Sequence, residues 1–104
     1  MSYQGWTNYE TWAVALWLNN EQGSYEQAVQ MARDAVDEAD GGDRPARGIL
    51  ADAIKEWMEE EAPDLGATLW GDLLGAALGA VDWHDVADHY LADLPVQDSE
   101  EASA

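Results

Sequence analysis

Both histidines of the chain fall in one acidic run, Asp82-Trp83-His84-Asp85-Val86-Ala87-Asp88-His89. On a helix, His84 and Asp88 are i, i+4 neighbours, as are Asp85 and His89, so either pair could give a divalent metal two ligands or form a proton-transfer couple. A third ligand is missing. The histidines are five residues apart and diverge by more than a quarter turn, and the pattern is not the His-Glu-x-x-His of a zinc site. The plainer reading is that both are surface side chains beside carboxylates. There is no glycine-rich phosphate loop with its lysine, no nucleophile elbow, and no cysteine for a thiol nucleophile, a disulfide or a thiolate metal site. We therefore expect no catalytic residues, no metal and no cofactor, and the chain reads as a non-enzyme.

The residues whose spacing points outward are the carboxylates. Of 104 residues, 22 are Asp or Glu and only 4 are Lys or Arg, giving a formal charge of −18. Such a chain should repel nucleic acid and anionic membrane. Asp34, Asp37 and Glu38 form one ladder, Asp52, Glu56 and Glu59 a second, and Asp82, Asp85 and Asp88 a third. On helices these steps set carboxylates roughly 5–6 Å apart, close to the phosphate spacing of a nucleic-acid strand. Any acidic amphipathic helix would do the same, so their placement is more telling. Asp37, Glu38 and Asp40 crowd the end of one predicted helix and Glu59, Glu60 and Glu61 the end of another, where the helix dipole makes each unfavourable by about 0.3–1 kcal/mol. Arg33, Arg44, Arg47 and Lys55 are too few to neutralise them.

Charge density limits the idea of mimicry. A chain of this mass should expose about 5,800 Å², or roughly 320 Å² per net charge. Duplex DNA offers about 110 Å² per charge. Concentrating the carboxylates on half the surface would bring the figure to roughly 130 Å² each, so the expectation requires the three ladders to share a continuous face or wrapped ridge.

Five helices must position these groups. Thr7-x-x-Glu10 has the form of a capping box, followed by an apolar face of Tyr9, Trp12, Ala13, Leu16 and Trp17. Ser24-x-x-Gln27 repeats the signal before Tyr25, Val29, Ala32, Val36 and Ala39. Pro45 opens a third helix with the stripe Leu50, Ala53, Ile54, Trp57 and Met58. Asp64 is placed to cap a fourth, whose Leu69, Trp70, Leu73, Leu74, Ala77, Leu78 and Val81 make it the most apolar segment and the expected central helix. Its Gly71, Gly75 and Gly79 form a smooth strip that another helix, or a second copy of the chain, should occupy. Asp82 caps a fifth helix with Trp83, Val86, Ala87, Tyr90 and Leu91 inward. The fold class is thus all-α, a compact bundle of about five short helices over residues 1–95, with a disordered acidic tail at 96–104. Trp12, Trp17, Trp57, Trp70 and Trp83 are assigned to the core, and Trp6 to a hydrophobic staple or a partner anchor. Asn8 and Thr11 either complete the first cap or contact a partner. No apolar run approaches the roughly 20 residues of a membrane span, and the opening lacks a signal peptide, so a soluble cytoplasmic protein is expected.

Gly5-Trp6-Thr7-Asn8-Tyr9-Glu10-Thr11-Trp12 and the following Val14-Ala15-Leu16-Trp17-Leu18 resemble the opening of a group of small acidic proteins of phages, plasmids and mobile regions. Val81-Asp82-Trp83-His84-Asp85-Val86-Ala87 resembles that group's second signature. The resemblance implies a mobile-element context, in which inhibitors of restriction enzymes and of CRISPR effector complexes occur. The expected function is a nucleic-acid-mimicking inhibitor that occupies the basic groove of a host nucleic-acid-binding protein. Its phosphate surrogates are Asp34, Asp37, Glu38, Asp52, Glu56, Glu59, Asp85 and Asp88. The alternative is a small helical adaptor whose acidity is solubilising or halophilic and whose binding patch is apolar.

Overall fold

The computed structural model describes residues 3–94, and the expectation of a tail at 96–104 lies outside them. The five helices are α1 (Tyr9–Asn20), α2 (Gln22–Ala39), α3 (Ala46–Glu61), α4 (Leu69–Ala80) and α5 (Trp83–Asp93). Among the described residues the one bridge of β type joins Tyr3 to Trp6, in a tight turn with Gln4 at φ +52° and Gly5 at φ +88°. Two successive positive φ angles define a hairpin turn that Gly makes accessible.

The core is built where small residues admit a neighbour. Ala28, Ala32 and Ala35 form the fully buried stripe of α2, so α3 lies close enough to enclose Leu50, Ala51 and Ile54. Helix α5 closes the third side with Trp83, Val86, Ala87 and Tyr90, and α2, α3 and α5 all touch one another. The stripe expected on α2 is rotated from the observed one: Val36 and Tyr25 are exposed, because the alanines are what permit the closest approach. Tyr90 donates a hydrogen bond to Asn19, and burial pushes its hydroxyl pKa up to about 12.

Three caps differ from the sequence expectation. Asn8, not Thr7, caps α1, its Oδ1 accepting from the Thr11 N–H at 2.9 Å. Helix α2 begins at Gln22, so Ser24 sits inside its first turn, where its hydroxyl reaches the Leu18 and Glu21 carbonyls at 2.8 and 3.1 Å. Thr68 caps α4 by accepting from Gly71 N–H at 3.0 Å, whereas Asp64 accepts from Gly66 N–H in the turn before it. Asp82 caps α5 as expected.

The largest correction concerns α4. It is peripheral, its backbone coming close to that of α1 alone among the helices, and none of its own residues is fully buried. Leu69, Trp70 and Leu73 are 63%, 65% and 53% exposed, and a Cβ at Gly75 or Gly79 would meet nothing. The glycine strip is therefore unoccupied within the chain, except that Gly71 lies hard against the Gly66 carbonyl. The tryptophans divide accordingly. Trp83 is buried, Trp57 and Trp12 are half-buried, and Trp17 and Trp70 stand in solvent, so these last two are not core residues. A helix is buried by its neighbours, and once α2, α3 and α5 have closed on one another only Gly71, Leu74 and Leu78 of α4 find partial cover.

Candidate interaction surfaces

The two signature segments, far apart in sequence, meet in space. The hydroxyl of Thr7 lies 2.8 Å from Asp82 Oδ2 and 2.9 Å from Asp85 Oδ2, and its N–H donates to Asp85 at 2.9 Å. This hydroxyl holds the Asp82 carboxyl below its ordinary value. Thr11, fully buried, donates to Asn8 Oδ1 at 2.6 Å and accepts from the Asp82 N–H at 2.8 Å, which satisfies its hydroxyl twice. The Asn8 amide reaches the carbonyl of Ala80, the last residue of α4, at 2.7 Å. Together these bonds form a clamp that pins the entry of α1 to the junction of α4 and α5. Asn8 and Thr11 thus complete the cap and the clamp.

Trp6 belongs to the same clamp. Its ring stacks on His89 with centroids 3.7 Å apart and planes at 25°, and it packs against the core. It is half-buried, and its observed stacking partner is His89 of α5. The His89 Nδ1–H donates to the Asp85 carbonyl at 3.0 Å, and His84 is exposed. Among the described residues no group of three or more His, Asp and Glu is arranged to hold a metal ion.

The eight proposed phosphate surrogates split into two sets. Asp52 pairs with Arg44 at 2.7 Å and Asp88 with Arg47 at 2.8 Å. Asp85 belongs to Thr7 and His89, and Asp34 accepts from Gln30 at 2.9 Å. Asp37, Glu38, Glu56 and Glu59 are exposed and have no hydrogen-bonded or ionic partner among the described residues. The half-exposed Arg–Asp pairs contribute about 0–1 kcal/mol each, so a stronger competitor could open them. The exposed members of the ladders, Asp34, Asp37, Glu38, Asp52, Glu56, Glu59 and Asp88, lie on α2, α3 and α5, the three helices packed around a common core. Asp85 is the site residue the structure removes from an open acidic face, since the clamp turns it toward Thr7.

Charge is nonetheless polarised. Residues 21–61 hold twelve carboxylates and all four Lys and Arg, whereas α1 and α4 contain one carboxylate each, Glu10 and Asp72, and no cation. Sequence reasoning missed the converse feature, the bare apolar side of α4. The available signal was its uncharged stretch Leu73–Val81, read as evidence of burial.

No described helix is long and apolar enough to cross a membrane. Neither the curated proteins nor the solved structures include a match to the chain. A family model, described as a family of unknown function (DUF7249), matches residues 1–90.

Proposed function

We propose, for a chain that belongs to this family of unknown function, that it is a protein-binding inhibitor presenting carboxylates as surrogate phosphates to the basic groove of a nucleic-acid-binding protein. The observation that carries the reading is the set of unpartnered acids at the C-terminal ends of α2 and α3: Asp37 and Glu38 at one, Glu59, Glu60 and Glu61 at the other. Each opposes its helix dipole and receives no neutralising cation among the described residues, an arrangement that stability alone disfavours.

Geometry refines the class of nucleic acid imitated. The short connection makes α2 and α3 antiparallel, so the two acidic ends lie at opposite poles of a hairpin about 24 Å long at 1.5 Å per residue. Over that length a duplex carries about 14 phosphates and a single strand about 7. From Asp34 to Glu61 the hairpin has ten carboxylates and three cations, leaving seven negative charges. A groove that tracks one strand is the better match. The resemblance of the chain's opening to proteins of phages and plasmids supports a host defence complex as the target.

The test is capture of the target from host lysate on immobilised protein, followed by competition. Recovery of one nucleic-acid enzyme that single-stranded oligonucleotide displaces, with affinity falling steeply as salt rises, supports the reading. Recovery indifferent to nucleic acid and to salt rejects it in favour of an adaptor working through an apolar patch, for which the bare side of α4 is the specific observation.

A further inference from the structure

Helix α4 carries three stripes. Leu74 and Leu78 turn toward the protein and are half-buried. Gly75 and Gly79 border a groove of about 300 Å³ that Lys55 and Glu59 of α3 also line. Leu69, Leu73, Ala76, Ala77 and Ala80, spaced by helical steps with Trp70 at their edge, form the third; all are exposed and none is charged.

We propose that this third stripe is the interface between two copies of the chain, joined by a two-fold axis that sets the α4 helices antiparallel. The stripe is uneven along its length: its first half is bulky (Leu69, Trp70, Leu73) and its second half is alanine (Ala76, Ala77, Ala80). Antiparallel pairing lays Leu69 over Ala80 of the second copy and Leu73 over Ala76, so bulk fills hollow at both ends. Parallel pairing would set bulk on bulk and leave a gap between the alanines. An isologous contact requires such self-complementarity.

Charge and area favour the same occupant. Two chains of formal charge −18 repel over most of their surfaces, and this stripe is a place where they can meet with no carboxylate inside the contact and one per copy, Asp72, at its margin. A basic partner would instead be drawn to the exposed carboxylates of α2, α3 and α5. From side-chain size, Leu69, Trp70 and Leu73 expose on the order of 400 Å² per copy. Both copies with their alanines therefore approach the roughly 1,000 Å² that separates specific association from casual contact. The dimer is accordingly a weak one. It does not depend on the mimicry reading, because no carboxylate of α2 or α3 takes part.

Sedimentation velocity on the full chain, from about 5 to about 500 µM and at low and high salt, tests it. We expect a dimer whose population rises with concentration and also with salt, since screening relieves the repulsion. Ala77→Glu should weaken it at least tenfold while helicity by circular dichroism is unchanged; Leu73→Ser serves the same purpose should the first variant lose structure. With no native cysteine in the chain, mixing Leu69→Cys with Ala80→Cys under an added oxidant should give the mixed disulfide in preference to either self-pair. A monomer across the whole range at both salts, a dimer unaffected by folded Ala77→Glu or Leu73→Ser, or dominant self-pairing of Leu69→Cys would each overturn the proposal.

Discussion

The α2–α3 hairpin and α4 obey the same local rules yet meet opposite fates. The hairpin is charged and of modest apolar content, but its alanines and Leu50 and Ile54 are sealed. Helix α4 is nearly uncharged and leucine-rich, but it hides no residue completely. The lesson is that burial follows mutual access. Three helices lined with alanine close on one another and leave the most apolar helix outside, to be covered by something else or not at all. Two tryptophans test that difference most sharply. Trp83→Ala should cost about 3–5 kcal/mol in urea denaturation, as a large buried side chain lost from the core. Trp70→Ala, from the same residue type in an exposed setting, should change monomer stability by about 0.5 kcal/mol or less. Equal costs would mean α4 is as much core as α5, the helix that seals the hairpin.

How much of this was legible depends on the range of the interaction that decides it. The five helices and the outward direction of Asp37, Glu38, Glu56 and Glu59 follow from periodicity and local charge, which need no knowledge of neighbours. The cap at Asp82 followed in the same way, and the cap at Asn8 was displaced by one residue because Thr7 is drawn to Asp82 and Asp85, more than seventy residues away. Arg47 likewise claims Asp88 from forty-one residues away. Whether a periodic apolar face is inside cannot be read from the face itself: Trp17 and Trp83 both sit on such faces, and only the second meets a packed neighbour.

The acidic side of the comparison sharpens through neutralisation. Replacing Asp37→Asn, Glu38→Gln, Glu59→Gln and Glu60→Gln together should stabilise the chain by about 1–2 kcal/mol at low salt, since each removes an unfavourable meeting with a helix C-terminus. The gain should shrink as salt is added. The same variant should bind the basic target more weakly, stepwise with each neutralised group, while its self-association is unchanged or tighter. Stability and binding moving together would indicate that these acids serve the fold.

A smaller effect than that of the neutralised acids lies where the two regions join. Thr7 gives its hydroxyl to Asp82 and Asp85 at the head of α5, beside the bond from Asn8 that tethers the end of α4. Thr7→Val keeps the shape and removes the hydroxyl, which should cost about 1 kcal/mol or less because the site is open to solvent. Its pH dependence identifies the mechanism. A carboxyl whose folded value is held down contributes stability above its unfolded value, and that contribution is lost as pH falls through the folded value. Without the hydroxyl the Asp82 carboxyl rises toward its ordinary range, so the acid limb of the unfolding curve should move to higher pH in Thr7→Val and stay in place in Thr7→Ser. Amide exchange in α4 should quicken in the valine variant while α3 is unchanged, because the clamp is what ties the outer helix to the sealed one.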